Sequence, residues 1–482
     1  MNNSGVTVSA ANNRKLGEEC GVFGIFKSDV LNTSKTVYYA LYALQHRGQE
    51  SCGISISSRK EKSVYCYKDL GLVSEVFNKL TLSQLEGDMA IGHVRYSTTG
   101  ANTRENAQPL TIKYVKGTLS IAHNGNISNA AELRSELECQ GAIFQSTNDT
   151  EVIAFLLARE RLHSASIDEA LRKVLPKLKG SFALLVMSPQ KLLAARDPYG
   201  FRPLCIGKKD GAYMFASESC ALDAVGAEFI RDVRPGEIVC VRESGLESFT
   251  EHCREDSALC VFEHIYFARP DSVIDGQSVY LARKEAGKLL AKACPADADI
   301  VFGVPDSGLA AAVGYAEQSG LPYVDGLMKN RYIGRTFIQP EQDMREESVS
   351  IKLNVLTCNV KGKRVVMVDD SIVRGTNILK IVTMMKNAGA AEVHVRISCP
   401  EFLWPCYFGT DVPDREHLAS VINTRDELVA KIGADSLGFL PLDMVHSIAK
   451  DSTLKFCDAC FSGKYPIDVP VSREKLEFEI HK

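Results

Sequence analysis

Three groups of residues in this 482-residue chain have types and spacing suited to chemistry. The first is the run Val365-Val366-Met367-Val368-Asp369-Asp370-Ser371-Ile372-Val373-Arg374-Gly375-Thr376, where an apolar segment ends in two carboxylates and passes into a short polar loop. Backbone N–H groups in such a loop, and at the start of a helix after it, cradle a phosphate, and Ser371 and Thr376 add hydroxyl donors. Asp369 and Asp370 repel phosphate, so they suit ribose hydroxyls or the Mg²⁺ that accompanies pyrophosphate. A solvated acidic turn is the plain alternative. The buried strand before the pair and the Ser/Arg/Gly/Thr loop after it favour the phosphate site. The second group is Cys20, within Cys20-Gly21-Val22-Phe23-Gly24, with three polar, Gly-containing turns elsewhere. Alone, one cysteine among fifteen reads as a small core residue. The third is Cys457-Asp458-Ala459-Cys460, which by itself could be half a zinc site, a redox pair or neither.

The elements that must position these groups divide the chain in two. From Cys20 to about Val241 the pattern is short strands, turns and a few helices, an α+β layer fold. Strands are predicted at Cys20–Phe26, Thr118–Ala122 and Phe182–Met187, and helices at Tyr39–Gln45 and Glu151–Leu162. The second half alternates strand and helix: Ile300–Val304, a helix from Leu309 to Gly320, Arg364–Val368, a helix carrying Ile378, Ile381, Val382 and Met385, then Val393–Ile397. This rhythm predicts a parallel, doubly wound sheet. The boundary is expected near residues 242–258, a polar stretch. Residues 1–19 are polar and poor in large apolar side chains.

Composition bounds the function. Apolar residues are 45% and charged residues 24%, a globular balance, and a net charge of −4 gives no reason to expect a nucleic-acid partner. No apolar run approaches the roughly 20 residues of a membrane span, and the first twenty residues lack a signal-peptide core. A cytoplasmic protein is expected, in which most cysteines are reduced. Cys205, Cys220, Cys240 and Cys358 read as buried hydrophobes.

The Asp369–Thr376 segment resembles the substrate motif of the type I phosphoribosyltransferases, an α/β family. That resemblance implies that Asp369 and Asp370 bind the ribose of phosphoribosyl pyrophosphate and that Ser371, Arg374, Gly375 and Thr376 surround its 5′-phosphate. It implies that the Pro305-Asp306-Ser307 turn lies beside pyrophosphate and Mg²⁺, with Ser307 joining Asp369 and Asp370 near the metal. Lys329 to Phe337, including Lys329, Tyr332 and Arg335, resembles the family's mobile segment that closes over the substrate. Without the family this stretch reads equally well as a basic surface loop.

Cys20 taken with Gln45-His46-Arg47-Gly48-Gln49-Glu50-Ser51, Gly92-His93-Val94-Arg95-Tyr96-Ser97-Thr98 and His123-Asn124-Gly125-Asn126 resembles the glutaminase domain of the N-terminal-nucleophile amidotransferases, an αββα sandwich. The resemblance implies that residues 1–19 are a propeptide and that the freed α-amine of Cys20 acts as its base. It implies an oxyanion hole from Asn124 and Gly125, a glutamine carboxylate on Arg95 and a glutamine ammonium on Asp149. His46 and His123 are then structural.

The two halves together resemble the amidophosphoribosyltransferases, with residues 1–19 as propeptide, 20–250 as glutaminase domain and 251–482 as phosphoribosyltransferase domain. The substrates implied are glutamine and phosphoribosyl pyrophosphate, the inhibitors purine nucleotides, and the assembly a homo-oligomer, a tetramer. One subgroup carries a [4Fe–4S] cluster, and its cysteine positions match Cys260, Cys406, Cys457 and Cys460. A zinc Cys₄ site is the competing reading. A regulator built on an inactive phosphoribosyltransferase and a stand-alone glutaminase are the other function classes. The intact Cys20, Arg95, Asn124 and Gly125 argue against the first, and a product assay distinguishes both.

Overall fold

The structure, a computed structural model, describes residues 20–26, 32–58, 60–97, 100–330, 353–412 and 414–469. The expected propeptide and the residues Thr98, Tyr332 and Arg335 lie outside them.

The first half is built on two antiparallel sheets. The seven-stranded sheet runs in the order Glu228–Asp232, Cys205–Lys209, Ala212–Ala216, Gly21–Phe26, Met89–Arg95, Ser51–Ser58, Ser63–Leu70. The six-stranded sheet runs Gly245–Phe249, Ile238–Arg242, Leu192–Arg196, Gly180–Met187, Gly117–Ile127, Leu110–Tyr114. Their facing sides supply one core, in which Val22, Phe26 and Ile91 of one sheet meet Ala183, Leu185 and Val239 of the other. Val37, Ala40 and Leu41 of the helix Thr33–Ala43 cover the first sheet from outside. Ile153 and Leu157 of Asp149–Glu160, with Leu171 of Ile167–Val174, cover the second. The result is the helix–sheet–sheet–helix stack expected of the glutaminase family.

Local chemistry sets the element ends. The first helix begins at Thr33, six residues before the predicted start, because Asn32 caps it by accepting the Lys35 N–H at 2.9 Å. Asn148 caps Asp149–Glu160 in the same way through the Thr150 N–H, and Asp149 and Glu151 sit in its first turn, where the helix dipole favours negative charge. The strand predicted at Thr118–Ala122 continues to Ile127, so His123, Asn124 and Gly125 belong to the strand itself. The stretch expected to be a linker contains the strand Gly245–Phe249, paired with Ile238–Arg242 at the sheet edge. An edge strand keeps one side in water, which is why it reads as polar. Cys205, Cys220 and Cys240 are buried as expected, but Cys358 is exposed. It lies on the short surface helix Thr357–Val360, of which only Val360 is buried.

The second half is a parallel sheet in the order Ile300–Gly303, Arg364–Asp369, Glu392–Ile397, Ser436–Phe439. The helices Gly308–Ser319, Thr376–Asn387 and Arg425–Ile432 connect successive strands. Val366, Met367, Val393 and Val395 are fully buried, as the continuous apolar runs require of a sheet covered on both faces. Among the described residues no helix is long and apolar enough to cross a membrane.

Candidate active sites

Cys20 stands at the head of the Gly21–Phe26 strand and is 5% exposed. Its Sγ donates to the Tyr96 carbonyl at 3.3 Å. Burial pushes the thiol up to about 11 against the opposing pull of that hydrogen bond and of Arg95. The thiol is therefore neutral near pH 7 and needs a base to become a nucleophile. None of the described histidines bonds to it. Arg95 ends the neighbouring strand Met89–Arg95, is 2% exposed, and lies within electrostatic reach of both Cys20 and Asp149. The turn at Gly48 packs flat against it, since a Cβ there would meet the Arg95 backbone nitrogen at 2.6 Å.

Asp149 is buried at the start of its helix, where its carboxylate accepts the Ile127 N–H at 3.0 Å and faces His123 Nδ1 at 3.4 Å. Burial alone would raise its pKa, but His123, the Ile127 N–H and Arg95 together hold it below the ordinary carboxylate value. It is thus an anion beside Arg95. Asn124 lies one strand position from His123, and its Nδ2 is buried with no hydrogen-bond acceptor. A buried amide donor without a partner is an expensive feature in a folded protein, and oxyanion sites supply a use for one. Gly125 has φ +144, and a Cβ there would meet the Ser181 carbonyl oxygen at 2.1 Å, so no larger residue fits this strand. His46 Nε2 binds Glu218 at 2.8 Å and its Nδ1 faces the Ala43 carbonyl at 3.2 Å, away from the thiol.

In the second half the strand Arg364–Asp369 delivers the paired acids to the sheet's carboxyl edge. The Asp370 N–H donates to Asp369 Oδ1 at 2.9 Å, and the Asp370 carboxylate accepts the hydroxyls of Ser307 and Ser371. Ser307 therefore meets the second acid of the pair, Asp370. Gly308 makes this possible: a Cβ there would meet the Val368 carbonyl oxygen at 2.4 Å, so the helix start abuts the strand end. Gly375 caps the helix Thr376–Asn387 at φ +82, turning the Ser371–Gly375 loop over that N-terminus. Arg374 lies half-buried within this loop. Lys329, at the end of the strand Leu327–Lys329, pairs with Asp306.

The four cysteines singled out in the sequence come together from three segments. Cys260 and Cys457 are direct partners in a short parallel pairing of Leu259–Cys260 with Phe456–Cys457. The Leu403 and Trp404 N–H groups both donate to the Cys460 carbonyl at 3.1 Å, and Cys406 Sγ accepts the Phe408 N–H at 3.4 Å. Burial drives the Cys460 thiol well above its ordinary value, and Cys406, Cys260 and Cys457 nearby push it further. The sulfurs are neighbours without closing on one centre: among the described residues no three His, Cys, Asp or Glu side chains converge to hold a single metal ion.

A set of buried ion pairs between the halves escaped the sequence reading. Arg196 binds Asp275 through both carboxylate oxygens, at 2.9 and 2.7 Å. Arg47 binds Glu263 in the same bidentate manner. Within the second half, Arg283 fixes the turn that carries Glu263 by donating to the carbonyls of His264, Tyr266 and Ala268. Residues 406–411 also reach the first half: Ser181 Oγ donates to the Phe408 carbonyl at 2.8 Å and Asn126 Nδ2 to the Tyr407 carbonyl at 3.0 Å. Sequence spacing carries no sign of pairs this distant, although arginines inside apolar strands and Gly turns were a usable hint of buried partners.

Comparisons with known proteins fit this division. Residues 93–224 match the model of a glutamine amidotransferase domain, and residues 277–401 that of a phosphoribosyl transferase domain. The chain is 48% identical to the amidophosphoribosyltransferase of Methanocaldococcus jannaschii, over 93% of this chain and 98% of that protein. It is 47% identical to that of Bacillus subtilis, over 94% and 95%. A solved structure described as the allosteric regulatory enzyme of purine biosynthesis superposes with a TM-score of 0.88 at 45% identity, covering 96% of this chain and 99% of that one. The glutamine phosphoribosylpyrophosphate amidotransferase from B. subtilis, complexed with ADP and GMP, gives 0.86 at 46%, covering 94% and 98%.

Proposed function

The chain belongs to the amidophosphoribosyltransferase family, and from that membership we infer its reaction. It hydrolyses glutamine and transfers the ammonia to C1 of phosphoribosyl pyrophosphate. The products are 5-phosphoribosylamine, glutamate and pyrophosphate, in the first step of purine biosynthesis. The observation that carries the reading is the grouping of a buried thiol, an anionic Asp149 and Arg95 within electrostatic reach of one another in one half, joined to a strand-end acid pair and phosphate loop in the other.

The residue roles follow from this chemistry. Arg95 takes the glutamine α-carboxylate in a charge-assisted fork and Asp149 the α-ammonium. The Cys20 thiol attacks the side-chain amide, its own α-amine accepting the proton once residues 1–19 are removed. Asn124 Nδ2 and the Gly125 N–H hold the oxyanion. Ammonia then leaves, and water hydrolyses the thioester. At the second site Asp369 and Asp370 hold the ribose hydroxyls, while Ser371, Arg374, Gly375 and Thr376 hold the 5′-phosphate. Lys329 suits the pyrophosphate, the resemblance assigns Tyr332 and Arg335 to the same group, and excluding water there protects a cationic C1.

The carboxylates of Asp369 and Asp370, with Ser307, suit Mg²⁺, which when bound neutralises charge on the departing pyrophosphate. Cys260, Cys406, Cys457 and Cys460 form a thiol-only donor set, the kind a [4Fe–4S] cluster uses. A zinc Cys₄ site is the competing reading for the same four thiols. The cluster would tie the chain's end to the junction and serve structure, since neither half-reaction is a redox step. Purine nucleotides are proposed as inhibitors, a homotetramer as the assembly, and the cytoplasm as the location.

The test is a phosphoribosylamine assay with glutamine and, separately, with ammonium. Cys20→Ala should abolish the glutamine-dependent reaction and spare the ammonia-dependent one, whereas Asp369→Asn or Asp370→Asn should impair both. Loss of both reactions in folded Cys20→Ala protein would overturn the two-site division.

A further inference from the structure

The carbonyl oxygen of Cys20 accepts a hydrogen bond from Arg47 Nε at 3.0 Å. Arg47 is 1% exposed, so its guanidinium is fixed by protein groups alone. Its Nη1 donates to Glu218 at 2.6 Å and to Glu263 Oε2 at 2.9 Å, and its Nη2 to Glu263 Oε1 at 2.8 Å. A guanidinium is planar and rigid, so the carboxylates gripping its two Nη atoms also set the direction of its Nε–H. Glu218 belongs to the first half. Glu263 belongs to the second, where it opens the helical turn Glu263–Phe267. That turn is wide: its Ala268 N–H reaches back to the Glu263 carbonyl at 3.1 Å. Arg202 also approaches Glu263, at 3.4 Å.

We propose that Glu263, contributed by the phosphoribosyltransferase half, is a positioning residue for the glutaminase nucleophile, holding the Cys20 backbone in register through Arg47. The inference rests on the reading of Cys20 as that nucleophile. Glu263 acts on the Cys20 backbone through Arg47, so its role is in the rate of attack rather than in glutamine affinity. Attack on an amide depends steeply on alignment, and a displacement of about 1 Å lowers such rates about a hundredfold. The arrangement also explains why a carboxylate from the second half lies so close to the first residue after the proposed cleavage point.

The experiment compares Glu263→Gln and Glu263→Asp with wild type in the full processed enzyme. Glutamine-dependent and ammonia-dependent phosphoribosylamine formation are measured, along with alkylation of Cys20 by iodoacetamide. Gln replaces one acceptor by a donor that opposes the Arg47 fork. Asp keeps the buried charge, and so protects the fold, but withdraws it by one methylene. The expected result is a fall of about tenfold or more in glutamine-dependent kcat, a glutamine KM within twofold of wild type, slower Cys20 alkylation and an unchanged ammonia-dependent rate. The proposal is overturned if both variants keep wild-type glutamine kcat, if KM rises while kcat holds, or if both rates fall together. Wild-type protein that made no phosphoribosylamine from glutamine would instead overturn the reaction itself, whatever the variants did.

Discussion

Arg196 of the first half and Asp275 of the second form a fully bidentate ion pair, Nη1 to Oδ1 at 2.9 Å and Nη2 to Oδ2 at 2.7 Å. Neither side chain is more than 4% exposed. Asp275 reaches this place because Asp275-Gly276, both at positive φ (+47 and +86), turns the hairpin between Val273–Ile274 and Gln277–Ser278. Asp275→Asn keeps a residue tolerant of that backbone and takes from a buried guanidinium its bidentate countercharge, leaving Asp232 and Asp197 as the nearby anions. The expected loss is about 3–5 kcal/mol of stability, read as a lowered denaturant midpoint with the remaining folded fraction still active at both sites.

Asn124→Ala removes the unpaired amide of the proposed oxyanion hole. Glutamine-dependent kcat should fall by about 10²–10³, with glutamine KM and ammonia-dependent activity held. Because Nδ2 makes no hydrogen bond in the resting protein, its loss should move the melting temperature little. A variant that melted much earlier would show that Asn124 is structural.

Gly125→Ala should behave in the opposite way. Its Cβ would press on the Ser181 carbonyl, and its φ is hostile to any side chain. Soluble yield and thermal stability should drop sharply, and both reactions with them; a stable, ammonia-active variant would contradict the strand geometry.

Glu218 predicts an acid limit. Burial alone would raise its carboxyl, but His46 and Arg47 beside it outweigh burial and hold it far below its ordinary 4.5. A depressed carboxylate adds stability above the unfolded pKa and loses it as pH falls. This single group should therefore remove up to about 1.4 kcal/mol of stability per pH unit below pH 4.5. Glu218→Gln should be less stable at pH 7 and show a shallower decline in urea midpoint from pH 4.5 downward.

The proposed cluster has an optical test in Trp404, the only tryptophan. Its backbone N–H binds the Cys460 carbonyl at 3.1 Å, and Arg415 lies 4.1 Å from its ring centre. An iron–sulfur cluster absorbs in the near-ultraviolet and should quench emission at this range. Brown, anaerobically prepared protein should fluoresce weakly, and emission should rise as iron is lost. Bright emission with the full iron complement bound would exclude Cys406 and Cys460 as ligands, and zinc without iron would remove the cluster.

Much of this architecture is legible in the sequence where periodicity and local chemistry act within a few residues. The buried strand before Asp369, the helix after Gly375 and the strand after Cys20 are such cases. The polar run Gly245–Phe249 is not, because an edge strand is half wet and mimics a linker. Cys358 misleads for a related reason: a short surface helix can surround a cysteine with apolar neighbours without burying it. The pairing of Arg196 with Asp275 is not legible either, since nothing local links residues this far apart. The pairing of Arg47 with Glu263 is hidden in the same way, although Arg47 lies in a motif the sequence singles out.

The parallel pairing of Leu259–Cys260 with Phe456–Cys457 joins segments about 200 residues apart, an extreme of contact order. During synthesis the glutaminase sandwich can close long before its Phe456 partner leaves the ribosome. The segment carrying Glu263 follows Cys260 directly, so Arg47 and Arg283 can grip it early while its strand pairing with Phe456–Cys457 is made last. A nascent chain stopped before Phe456 would hold a folded sandwich with that pairing still unmade.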